Sequence, residues 1–223
     1  ETYNASPLQT TPAMTTSPMP DQPREDAAAC DDNVVVADMV RWLERAVIGL
    51  NLCPFAKSVH VKDQIHYVVS HATDARELLQ DLAAELEALA EASPEKRDTT
   101  LLIAPLAMPD FLDFNDFLEL ADELVESMDL AGILQVASFH PHFQFEGTLA
   151  DDVTNCTNRA PYPTLHLLRE ESIDRAVEVF PEAQEIFERN MELLERLGAA
   201  GWADLDVGPH WPVGAPAKGA PQV

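Results

Sequence analysis

The stretch TTLLIAPLAMPDFLDFNDFLELADELVESMDLAGILQVASF, residues 99–139, decides the fold class. It opens with an apolar run, TTLLIAP at 99–105, the pattern of a strand buried on both faces. From Asp110 or Asp113 the period changes. Phe114, Phe117, Leu118, Ala121, Leu124 and Met128 recur three and four residues apart and form one helical stripe. Either aspartate suits an N-cap, and Gly132 falls near the end. ILQVASF, 133–139, then returns to strand character.

The same alternation extends upstream. Residues 34–50 place Val36, Met39, Val40, Leu43, Val47 and Leu50 on one helical face, with Asp32 or Asn33 as cap and Pro54 as stop. IHYVVS, 65–70, reads as a strand. Residues 74–92 read as a helix through Leu78, Leu82, Leu86 and Leu89. Downstream, TLHLL at 164–168 is a candidate last strand. Pro181 and the stripe Ile186, Phe187, Leu194 and Leu197 predict a closing helix over 181–197, stopped by Gly198. Alternating helices and strands predict a single-domain α/β sandwich, a central sheet of about four to five strands covered by helices.

The ends read differently. Residues 1–33 are rich in Thr, Pro, Ser and Asp without apolar period, and are expected to be a disordered tail. Residues 203–223, rich in Gly, Pro and Ala, are expected to be a flexible C-terminal tail, leaving 34–202 as the domain. The first residue is Glu, so a leader is open; the N-terminus shows no signal layout.

A net charge of −25 over 223 residues repels phosphate backbones, which argues against nucleic acid and anionic membranes as partners. There is no apolar run of membrane-spanning length. Three cysteines with no CxxC pair argue against a disulfide framework and a closed zinc module, and fit reduced thiols in a cytoplasmic protein. No Gly-rich phosphate loop, GxSxG elbow or HExxH is present and there are only eight glycines, which argues against nucleotide cradling by backbone alone and leaves any cofactor unknown.

Chemistry concentrates at 137–170, ASFHPHFQFEGTLADDVTNCTNRAPYPTLHLLRE. His140 and His142 fall at the carboxyl end of a strand, where open α/β sheets bind ligands. Pro141 holds His140 extended. Asn158 and Arg159 read either as turn chemistry or as a cradle for an anion, for which a guanidinium fork is suited. His166, flanked by leucines, reads as a core histidine or a base. Arg169 and Glu170 read as a surface pair, or Arg169 as a second anion-binding group. Cys53, before Pro54, is a small buried hydrophobe or a thiol activated by Lys57. His140, His142, Cys156 and His166 have metal-ligating atoms but no recognised spacing, so no metal is assigned.

RWLERAVIGLNLCPFAK, VASFHP and TNRAPYPTLHLLRE together resemble the bacterial family known as domain of unknown function 1415, over roughly residues 36–198. The resemblance implies that Cys53, His140, Asn158, Arg159, His166, Arg169 and Glu170 sit in family motifs. It also implies that His142 and Cys156 stand where the family requires neither His nor Cys, which leaves His140 and His166 as the better pair. The resulting expectation is an enzyme acting on a small anionic metabolite. His140, His166 and Cys53 are its catalytic candidates, and Asn158, Arg159 and Arg169 its substrate-binding ones. The alternatives are a non-catalytic ligand- or metal-binding accessory protein and a motif that only stitches a loop to the sheet.

Overall fold

The computed structural model of the protein describes residues 30–179 and 185–211. Six α-helices are present among them: α1 (Asp32–Trp42), α2 (Ala56–Val61), α3 (Ala75–Glu91), α4 (Phe111–Ser127), α5 (Glu170–Val179) and α6 (Ile186–Asp204). Four strands, β1 (Ile65–Val69), β2 (Thr99–Ile103), β3 (Leu134–Phe139) and β4 (Thr164–Arg169), form one sheet in the order β1-β2-β4-β3. β1 and β2 are parallel. β4 is antiparallel to both β2 and β3, so it inserts between two strands that precede it. The architecture is the α/β sandwich that the alternation predicts.

Alternation of side chains divides the core into two layers. Leu102, Leu165 and Leu167 face α3 and α4, where Leu78, Leu82, Leu86, Leu89, Phe114 and Phe117 pack against them. Leu101, Ile103 and Phe139 face the other way, toward Val35, Met39 and Trp42 of α1. β2 is covered on both sides and all five of its residues are buried, hence its unbroken apolar run. α3 starts where Asp74 accepts the Glu77 N–H at 2.9 Å, and Glu77 turns back to accept the Thr73 N–H at 2.9 Å. The first bond satisfies a donor that the first turn of a helix leaves open, and the second ties down the residue before the cap. α4 is capped by Asp110, one of the two predicted aspartates.

Several expectations change. α1 is capped by Asp31 rather than Asp32 or Asn33. Its continuation, Leu43–Ile48, is a π-helix, in which the Gly49 N–H reaches five residues back to Glu44 O at 2.9 Å. A Cβ at Gly49 would lie 2.2 Å from Arg45 O, so that turn needs glycine. The helix ends with Asn51 in the left-handed conformation (φ 55°), before Pro54 can act. α5 follows β4 directly, where no helix was predicted. Pro181 lies outside the described residues. Gly198 (φ 68°) kinks α6 but does not stop it; helix resumes to Asp204. The boundary expected at 202 therefore falls inside a helix, and residues beyond it are packed: Val207 is buried, and Leu205 and Trp211 join the α1 layer.

Candidate functional site

The loop between β3 and β4 holds three of the six predicted site residues, His140, Asn158 and Arg159, and its hydrogen bonds show how it is held. His140 is completely buried. Its Nε2–H donates to Met108 O at 3.0 Å, its Nδ1 accepts the His142 N–H at 3.0 Å, and its own backbone N–H donates to Asn158 O at 3.2 Å. Both ring nitrogens are thus occupied in one neutral tautomer. Burial pushes its pKa down to about 4. Asn155, also buried, accepts from the Phe145 N–H (3.0 Å) and the Thr148 hydroxyl (2.9 Å), and donates to Leu149 O (2.9 Å). Arg159 donates to Phe143 O at 3.0 Å and Ala150 O at 2.6 Å. These side chains sew the loop to itself. Backbone carbonyls need donors when they leave the sheet, and the loop's own turns, such as Phe143 N–H to His140 O and Arg159 N–H to Cys156 O, satisfy only some of them.

Arg169 lies at the other end of β4. It is 9% exposed and donates to Leu89 O and Ala92 O, both at 2.6 Å, and to Arg97 O at 3.1 Å. It closes the C-terminus of α3, where carbonyls are left without helical partners. The structure therefore does not bring Arg159 and Arg169 together. Asn158 and His142 remain apart from both guanidinium groups in role: among the described residues the Asn158 side chain makes no hydrogen bond, and His142 is exposed. Cys156 is buried, and burial raises its pKa. Among the described residues no three His, Cys, Asp or Glu side chains are placed to hold a metal.

His166 is different. It sits in the middle of β4, opposite Leu101 and Ala137, on the α1 face of the sheet. Its ring makes no hydrogen bond among the described residues, and burial alone pushes its pKa down to about 4. The residue still keeps part of its surface. Phe139 stands 5.8 Å from it, and Trp42 stands 5.1 Å beyond Phe139, edge to face. Trp42 is 2% exposed, and its indole Nε1–H has no partner among the described residues. Cys53 packs on the edge of the same layer. Next to Cys53, Leu52 O accepts from Asn190 of α6 at 2.8 Å, while the buried Asn190 Oδ1 has no partner among the described residues.

A second polar cluster was missed from sequence. Asp38, 1% exposed, accepts from Arg41 (2.8 Å), the Tyr162 hydroxyl (2.7 Å), the His210 backbone N–H (2.6 Å) and His210 Nδ1 (2.8 Å). Burial opposes its charge, but these donors, the His210 backbone N–H foremost, hold its pKa below the usual carboxylate value. The signal was present: Asp38 lies on the apolar stripe Val35, Met39, Trp42, the wrong face for an unpaired acid. Arg41 also donates to Asp206 O and Gly208 O, and Arg45 to Leu205 O, so residues 205–211 form a strap across α1.

Residues 34–204 match the family model described as protein of unknown function, domain of unknown function 1415, and the chain belongs to that family. No curated protein and no solved structure matches it significantly. His166, Trp42, Cys53 and Asp38 lie inside the matched region; His210 lies beyond it. Among the described residues no helix is long and apolar enough to cross a membrane.

Proposed function

We propose that this protein binds a small, uncharged, ring-containing molecule beside His166, on the α1 face of β3 and β4, and that it does so without turnover. The observation that carries the reading is the row Trp42–Phe139–His166: a donor and an acceptor without partners, joined by an aromatic ring. A buried N–H left unbonded costs about 1–3 kcal/mol, which a ligand acceptor relieves. A neutral imidazole can donate or accept, and Phe139 offers a ring face or edge for stacking.

The anionic metabolite expected from sequence has less support. Arg159 and Arg169 are committed to carbonyls, and among the described residues no charged group acts on His166, whose only perturbation is burial. Catalysis has less support for a related reason. A base of pKa about 4 is weak at neutral pH, and no third group orients the ring.

The test is NMR of ¹⁵N-labelled protein against a set of neutral heteroaromatic fragments. Binding should move the Trp42 indole N–H signal and the His166 ring protons together. His166→Phe should remove at least about tenfold of the affinity while the protein stays folded, the loss expected for one hydrogen bond. Fragments that bind while leaving both signals in place would sink the reading, as would a set with no binder at millimolar concentration.

A further inference from the structure

β1 is an edge strand. It pairs with β2 alone, and the residues that flank it, Gln64 and Ser70, show that the even-numbered positions face β2: Ser70 N–H donates to Ile103 O at 2.7 Å, and Gln64 O accepts from Thr99 N–H at 3.3 Å. In a parallel ladder the alternate residues turn their N–H and C=O groups the other way. Those of Ile65, Tyr67 and Val69 therefore point out of the sheet, and among the described residues nothing pairs with them. Natural edges are defended with Lys, Pro or a bulge. The strand IHYVV has none of these.

Beside this edge runs a cleft of about 440 Å³, lined on one side by Val68, Val69, Ser70 and on the other by Glu77, Asp81 and Glu85 of α3. The three acids stand four residues apart, one stripe along the helix. Glu85 is paired with Arg97, while Glu77 and Asp81 have no cationic partner among the described residues. The steps match: four helical residues advance about 6 Å, and two strand residues advance about 6.6 Å. Alternate side chains of a strand laid along β1 would thus meet successive acids.

We infer that the outer edge of β1 and the acidic flank of α3 form a docking groove for an extended segment of a partner protein with basic residues at alternate positions, which joins the sheet as a fifth strand. The unpaired backbone supplies affinity and the acid stripe supplies selectivity, as in other strand-addition complexes. A second copy of this chain is disfavoured at this place, because each copy carries a net charge of −25 and presents acids here.

The probe is a terminally blocked peptide of seven residues in which Lys and Val alternate, followed by fluorescence anisotropy. It should bind, and weaken about tenfold or more between about 10 mM and about 150 mM salt. N-methylation of the residues of one parity should abolish binding, and of the other parity should leave it within about twofold, because only one parity faces the β1 edge. Val69→Pro removes one outward N–H while keeping most of the side-chain bulk, and should abolish binding with an unchanged circular dichroism spectrum. The peptide arm leaves the protein untouched, so it decides even where Val69→Pro fails to fold. No binding at low salt overturns the proposal. So does binding that survives N-methylation of both parities, which would be ionic adsorption. A dimer of the protein dissociated by Val69→Pro, with no peptide bound, would assign the edge to a second copy instead.

Discussion

Two arginines that sequence treats alike differ at the scale of the single residue. Arg169 serves carbonyls at the buried end of α3, where water cannot replace it; Arg159 serves one carbonyl in the loop and one at its exposed rim. Arg169→Met should therefore cost about 3 kcal/mol or more, and Arg159→Gln only about 1–2 kcal/mol, both read from urea denaturation. The types of residue at 140, 158, 159 and 169 were legible as unusual, but type names a donor without naming its acceptor. For Arg159, Arg169 and His140 the acceptors are backbone carbonyls, which no side-chain pattern encodes. The histidines give a pH signature. His140 and His166 have folded pKa values near 4 against an ordinary 6.5, so folding favours their neutral forms. Their contribution is complete above about pH 6.5 and is lost as pH falls toward 4, because the unfolded chain takes up protons that the fold refuses. The loss amounts to up to about 3 kcal/mol for His140, less for the partly exposed His166. His166→Phe should flatten the fall in stability between pH 6.5 and 4, a slope measurable by denaturation at stepped pH; an unaltered slope would show that His166 titrates normally.

Among the elements, the amphipathic helices and the strands of the alternating region were legible because their apolar periods are local. The strap was not. Residues 205–211 look like tail by composition, and what orders them is contact with α1 across 160 to 172 residues of chain. Ending the chain after Asp204 would strip Val207, His210 and Trp211 from the α1 layer and leave the buried Asp38 carboxylate with two of its four bonds. That truncation should lower stability by about 3 kcal/mol, or roughly 8 °C in Tm for a domain of this size. A change of less than a degree would mean the strap only rests on α1. The π-helix was equally hidden: the apolar period runs on through it, and the close approach at Gly49 is visible only in three dimensions.

For the whole molecule, acidity and topology set the behaviour. A charge of −25 repels itself, so added salt should raise Tm between about 10 mM and about 150 mM ionic strength; a flat response would mean that the acids are effectively paired. The fold class followed from alternation, but the place of β4 did not, because strand order is decided by which edges remain open when the last strand arrives. That order has a consequence for synthesis. β1 and β2 can pair as soon as both have left the ribosome, but β3 has no neighbour in the sheet except β4. It must wait, apolar and unpaired, while residues 140–163 are translated, and α1 must wait for the strap at 205–211. Translation at about 5–20 residues per second makes the first wait a matter of seconds. During that time the nascent protein presents the strand edge and the apolar helix face that chaperones hold.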